Sequence, residues 1–187
     1  GHGDSSGDFT DGCIGDWAED TLAAVAALTA GPILPVGSSM GGWQSLLLAR
    51  ALPSRIAGLV TIAAAPDFTE DGYWASFTDS QKQTLAEAGQ VELPSDYMEP
   101  YIITRRMIED GRTQLVLRDP LHLPFPTRFL QGTADTAVSV ATAVRLLEHA
   151  QGPDMQLQLV KDADHRFSDD RCLGLLIQAV EEVAAAA

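Results

Sequence analysis

Pro35-Val36-Gly37-Ser38-Ser39-Met40-Gly41-Gly42-Trp43 decides how the rest of this chain is read. The apolar run 33–36 leads into it and helix-forming residues leave it, so Ser39 stands at the tip of a sharp strand-to-helix turn, the G-x-S-x-G context. A serine exposed in this way needs a strained backbone, glycines at 37 and 41 to leave room for the turn, and a helix whose first N–H groups face the site. The same small residues also make ordinary strand–helix turns, so the motif needs support from the rest of the chain. Two phosphate-binding readings of these glycines fail. A Walker loop requires Lys and Ser/Thr after its last glycine, where this chain has Trp43 and Gln44. A dinucleotide fingerprint requires G-x-G, where Gly37 is followed by Ser38 and Ser39.

Composition limits what the serine could act on. With 187 residues the chain suits one domain that buries most of its apolar surface without disulfides. Its longest apolar runs, such as 59–65, are too short to cross a bilayer, so no membrane insertion is expected. A formal charge of −14 would meet repulsion from nucleic acid or an anionic membrane, leaving a small molecule or an uncharged surface as partner. Cys13 and Cys172 lie far apart, with neither C-x-x-C nor His-rich spacing, so no metal or redox site is expected and two reduced thiols fit a cytoplasmic protein. No signal peptide is expected, and the chain has no Asn, hence no N-glycosylation acceptor; it opens on Gly1 without Met, so a start further upstream is expected.

Taken in order, the chain alternates strand and helix. Residues 1–8 read as a loop; from Ile14, apolar residues at three- and four-residue spacings give a helix that Gly31-Pro32 stops. A strand at 33–36, a helix at 40–52 with Leu46, Leu47 and Ala51 buried, and a strand at 56–63 follow. Between 66 and 124 the alternation disappears and aromatic residues mix with acids, which reads as an inserted helical lid with helices at 80–87 and 99–110. Its aromatic residues either fill a satellite core or contact substrate. Strand–helix alternation resumes with strands at 127–131 and 156–160 and helices at 138–149 and 169–186. Short strands too apolar for one-sided exposure imply an α/β fold: a mostly parallel sheet, covered by helices on both faces, formed by 1–65 and 125–187, with 66–124 as the lid.

A serine hydroxyl is a weak nucleophile unless a base takes its proton and a third group orients that base. In parallel sheets such groups converge in the loops after strand ends. Asp135 follows the third strand and His165 the fourth, giving the chain order Ser, Asp, His. His2 lies in the opening loop, His122 between lid and strand, and His149 at a helix end. Asp67, after the second strand, competes with Asp135 for the acid, while Asp162 and Asp164 read as solvated.

Together, Gly1-His2-Gly3-Asp4-Ser5-Ser6-Gly7, the stretch 37–43, Gly132-Thr133-Ala134-Asp135 with Val138, and Asp164-His165-Arg166 resemble the α/β-hydrolase superfamily. More narrowly, they resemble a branch of bacterial esterases related to the mycophenolic acid acyl-glucuronide esterase, also described as a palmitoyl-protein thioesterase. The resemblance spans essentially the whole chain and implies a serine esterase or thioesterase with Ser39 as nucleophile, His165 as base and Asp135 as orienting acid. It requires no cofactor or metal. The family has about four further strands before the point where this chain opens, and a loop among them supplies the second oxyanion-hole N–H, so here only the Met40 N–H can be named. Losing one such donor costs about a hundred- to a thousandfold in rate.

The strand at 33–36 is then expected to be a bare apolar edge, which pairs with something. A longer chain, a second copy forming a homo-oligomer, or a natural remnant would each account for it. The expected activity is hydrolysis of small to medium uncharged acyl esters or thioesters, with Trp74, Phe77, Tyr97 and Tyr101 lining an acyl pocket. Two alternatives are another acyl transfer on the same triad and a non-catalytic module that binds a partner through the open edge.

Overall fold

The computed structural model describes residues 2–94 and 100–187. In chain order the elements are α1 (Ile14–Leu28), β1 (Val36–Ser38), α2 (Met40–Ala51), β2 (Leu59–Ile62), α3 (Asp79–Ala88), β3 (Gln90–Leu93), β4 (Tyr101–Thr104), α4 (Arg105–Gly111), β5 (Leu121–His122), β6 (Thr127–Gly132), α5 (Val140–His149), β7 (Ala150–Gln151), β8 (Met155–Val160) and α6 (Asp170–Ala186). They divide into two compact units, Thr21–Pro66 with Val116–Ala187, and Gly1–Asp20 with Asp67–Leu115.

The larger unit holds a four-stranded sheet in the order β1-β2-β6-β8, parallel throughout, as short apolar strands alternating with helices require. β2 is buried along its whole length, so the sheet is covered on both faces at this strand. On one face Val60, Ile62, Leu130 and Val160 pack with Cys172, Ala179 and Val183 of α6. Helix α2 packs against β1 and β2, and its positions from Gly42 to Ala49 are all buried. Ala51, expected inside, is exposed; the buried stretch ends two residues earlier. A further two-stranded parallel pair joins β5 to β7.

The first strand begins later than its apolar run suggests. Ile33 makes only an isolated bridge to Ile56, and regular pairing starts at Val36, because Pro35 has no N–H to give to a ladder. Among the described residues β1 is an outer strand of this sheet, with Val36 48% exposed.

The smaller unit has its own core, in which Phe77, Leu85, Val91, Ile103, Met107 and Ile108 are buried, with Trp17, Tyr73 and Trp74 at its margin. Its α3 opens with a capping box in which Thr78 and Gln81 exchange bonds, and closes at Gly89 in the left-handed region, φ 78°. The expected helix at 99–110 is corrected here. Residues Tyr101–Thr104 are a strand, paired antiparallel with Gln90–Leu93, and the helix starts only at Arg105, where the Thr104 hydroxyl accepts the Met107 N–H at 3.1 Å. Ile102, Ile103 and Thr104 are β-branched, which favours the pleated conformation over the helix.

Candidate active site

The turn at Ser39 is built by close approach. An alanine Cβ at Gly37 would overlap the Gly41 carbonyl oxygen and the Ser45 hydroxyl, and one at Gly42 would come within 2.6 Å of the Ala64 Cβ. Gly41, which the motif singles out, has nothing within 4 Å of such an atom among the described residues, so the crowding falls on 37 and 42. Gly37→Ala presses a methyl against backbone that moves only with α2. We expect a loss of about 3 kcal/mol or more, read in a thermal melt as a fall of roughly 6–12 °C.

Ser39 itself sits at φ 53°, ψ −120°, a conformation that non-glycine residues rarely adopt. Its peptide is held on both sides: the N–H donates to the Ile62 carbonyl at 2.9 Å, and the carbonyl accepts from Gly42 at 2.9 Å and Ala65 at 3.0 Å. The end of β2 and the first turn of α2 therefore fix where the hydroxyl points. Met40, the next residue, is the first of α2, so its N–H is one of the unpaired donors of a helix N-terminus.

The structure brings Ser39, His165 and Asp135 together, all within the larger unit. The Ser39 Oγ lies 3.1 Å from the His165 Nε2, and the His165 Nδ1 lies 2.9 Å from the Asp135 Oδ2. A carboxylate can only accept, so Nδ1 carries the proton and Nε2 is left to accept from the serine hydroxyl. The imidazole is 32% exposed, while the Asp135 side chain is fully covered.

Burial pushes the Asp135 carboxyl up, but hydrogen bonds from the Val138 N–H, His165, the Gln131 amide and the Ala137 N–H outweigh it and hold the group below its usual range. It is therefore ionised at neutral pH. The two loops that carry these groups are tied together: the Asp162 N–H donates to the Thr133 Oγ1 at 2.9 Å and the Ala134 N–H to the Ala163 carbonyl at 3.0 Å.

Asp67, the rival acid, is buried at the left-handed start of the helical turns Phe68–Trp74, with its carbonyl accepting from Glu70 and Asp71. His149 contacts the Asp119 carbonyl, and His2 packs edge-on against Trp17. Phe77 is spent inside the core of the smaller unit, and Trp74 is flanked there by Lys82 and Arg112, at 5.0 and 4.6 Å from its ring. Tyr101 is 43% exposed on β4, and Tyr97 lies outside the described residues. Both thiols are buried; burial, first of all, pushes Cys13 up to about 11, so it stays protonated at neutral pH.

Gln131 is the residue that reading the sequence missed. It is fully buried at the end of β6, and its Nε2 lies 3.0 Å from the Asp135 Oδ2. The only sign of it was an amide at the end of a strand otherwise rich in apolar residues. Among the described residues, no group of three His, Cys, Asp or Glu is arranged to hold a metal ion, and no helix is long and apolar enough to cross a membrane.

Residues 1–98 match the family model described as the alpha/beta hydrolase fold. The mitochondrial palmitoyl-protein thioesterase ABHD10 of Mus musculus is 31% identical over 185 residues, 98% of this chain and 62% of that protein. Its counterpart in Homo sapiens is 28% identical over 98% of this chain and 60% of its own length. The chain thus spans about three fifths of the length of the curated relatives it matches. Among solved structures, an Agrobacterium vitis S4 protein described as a hydrolase is 38% identical, with a TM-score of 0.93 over 98% of this chain and 73% of that one. The mouse alpha/beta hydrolase domain-containing protein 10 superposes with a TM-score of 0.87 at 28% identity, covering 98% of this chain and 74% of its own.

Proposed function

The chain belongs to the α/β-hydrolase family, and from that premise we propose that it is a serine hydrolase that cleaves carboxylic esters or thioesters through an acyl-serine intermediate. The observation that carries the reading is the continuous line from the Asp135 carboxylate through the His165 imidazole to the Ser39 hydroxyl, with steps of 2.9 and 3.1 Å. Ser39 Oγ attacks the acyl carbon and its proton passes to the His165 Nε2. The oxyanion forms beside the Met40 N–H. The C–O or C–S bond then breaks as Nε2 returns that proton to the leaving oxygen or sulfur. Water repeats the sequence: its proton goes to Nε2, its hydroxyl to the acyl carbon, and Ser39 recovers its hydrogen as the acid departs. Asp135 stays ionised and holds the ring.

The division of labour proposed for the chain keeps 1–65 and 125–187 as the catalytic core and 66–124 as a lid. The acyl group is proposed to be small to medium and uncharged. Net charge supports the second part, because −14 disfavours anionic substrates. The relatives' name, which contains palmitoyl, favours a long-chain reading instead.

A series of p-nitrophenyl esters from acetyl to palmitoyl, run with fluorophosphonate labelling of Ser39, tests both levels. Labelling with turnover that falls beyond the medium chains is expected. Turnover rising steadily to palmitoyl overturns the acyl-length part alone. Folded protein that is neither labelled nor active overturns the hydrolase reading in favour of a binding module.

A further inference from the structure

Gln131 occupies a place where an apolar side chain would be expected. It is 0% exposed, it is the penultimate residue of β6, preceded by Phe129 and Leu130, both in the core, and its Oε1 has no hydrogen-bond partner among the described residues. An orphaned buried acceptor is a cost that a leucine or methionine would avoid. What offsets it is the other end of the amide. Nε2 faces three acceptors, the Asp135 Oδ2 at 3.0 Å, the Val138 carbonyl at 3.0 Å and the Gly132 carbonyl at 3.2 Å. None of the three can donate, so the nitrogen and not the oxygen must face them.

The carboxylate is gripped in a particular way. Its Oδ1 accepts the N–H groups of Ala137 and Val138, both at 2.8 Å, which fixes that oxygen within its own turn. Its Oδ2 has two donors, the His165 Nδ1 and the Gln131 Nε2. Because Nε2 also bonds the Val138 carbonyl, Gln131 holds the acid and the far side of its turn together. An amide donor on Oδ2 leaves the imidazole only one direction of approach to that oxygen. It also places the positive end of a dipole beside a buried negative charge.

We propose that Gln131 is a positioning residue for the triad: its amide sets the Asp135 carboxylate so that Oδ2 meets the imidazole in the orientation that leaves Nε2 on the serine hydroxyl. The inference rests on reading Ser39, His165 and Asp135 as a triad, and it adds a fourth member that touches neither substrate nor reacting atoms.

Q131M keeps the length and removes the donor. In the full chain it is expected to lower kcat for p-nitrophenyl acetate by roughly ten- to a hundredfold with KM nearly unchanged, the size expected for a hydrogen bond to a charged group. The acid limb of its kcat/KM profile should move up by about one pH unit, because taking away a positive dipole makes the Asp–His pair easier to protonate. In a D135N background, Q131M should slow fluorophosphonate labelling by less than about twofold, since a residue acting only through the acid has nothing left to act on.

Wild-type kcat and acid limb in Q131M, or an equal loss in both backgrounds, overturns the proposal, the second result marking a merely structural role. If Q131M loses its cooperative melt, Q131E carries the test. Its carboxylate against that of Asp135 should cost more at neutral pH than at the acid end, and wild-type turnover throughout would refute the role. Absence of labelling in the unmutated protein would refute the triad reading instead, which keeps the two failures apart.

Discussion

Replacing Ser39 with alanine is expected to lower turnover of p-nitrophenyl acetate by about 10⁵- to 10⁶-fold, the loss typical when a triad acts as one unit. Fluorophosphonate labelling should vanish with it, and the thermal melt should stay within a few degrees of wild type. The hydroxyl is the only part of the side chain removed, and the contacts that hold this turn are made by backbone: Ser39 N–H to the Ile62 carbonyl, and the Ser39 carbonyl to Gly42 and Ala65. A variant that keeps a sizeable fraction of its turnover would mean that another group attacks the acyl carbon. The line from His165 to Ser39 would then be an ordinary half-buried hydrogen bond.

The second large effect separates two aspartates. Asp135→Asn should cut kcat by on the order of 10⁴-fold, because an amide can present its NH₂ to Nδ1 and impose the wrong tautomer. Asp67→Asn should leave kcat within a few-fold, although its buried side chain makes a fall in melting temperature acceptable.

The pH dependence has a definite sign. The Asp135 carboxyl is held below its usual range, so its stabilising contribution is fully present above the ordinary carboxylate value and is lost as pH falls through its lower, folded-state value. The gap in melting temperature between wild type and Asp135→Asn should accordingly narrow on acidification, a trend that differential scanning calorimetry reads directly. The reverse result, with Asp67→Asn inactive and Asp135→Asn near wild type, would move the acid to the loop after β2.

How much of this could be read beforehand follows from where each residue sits. Ser39 was legible because a tight turn between a strand and a helix leaves a local mark, small residues flanked by two different periodicities. Asp135 and His165 were legible for a topological reason, since loops at the same ends of parallel strands converge whatever their distance in sequence. Gln131 was not, because a glutamine in a strand looks the same whether its amide meets water or a carboxylate; only three-dimensional packing tells the two apart. The glycine assignment was half legible: the motif points to 37 and 41, whereas the tight fit of α2 on the sheet falls on 37 and 42.

In the smaller unit the β3–β4 pair was lost because each strand has four residues, too few for alternation to stand out, and because the acids around it suggested a helix. The β-branched run Ile102-Ile103-Thr104 was the available signal. Phe77 and Trp74 show the matching ambiguity for function: sequence cannot distinguish an aromatic ring that closes a small core from one that receives a ligand.

The backbone at position 39, with φ 53° and ψ −120°, sets robustness against chemistry at a single codon. Such a conformation costs a residue with a Cβ on the order of 1–3 kcal/mol, most of which glycine would be spared. Breeding this protein for heat tolerance alone would therefore reward the very replacement that erases the proposed nucleophile. Any programme of stabilisation has to hold that codon fixed and seek its gains in the sheet, the helices or the smaller unit.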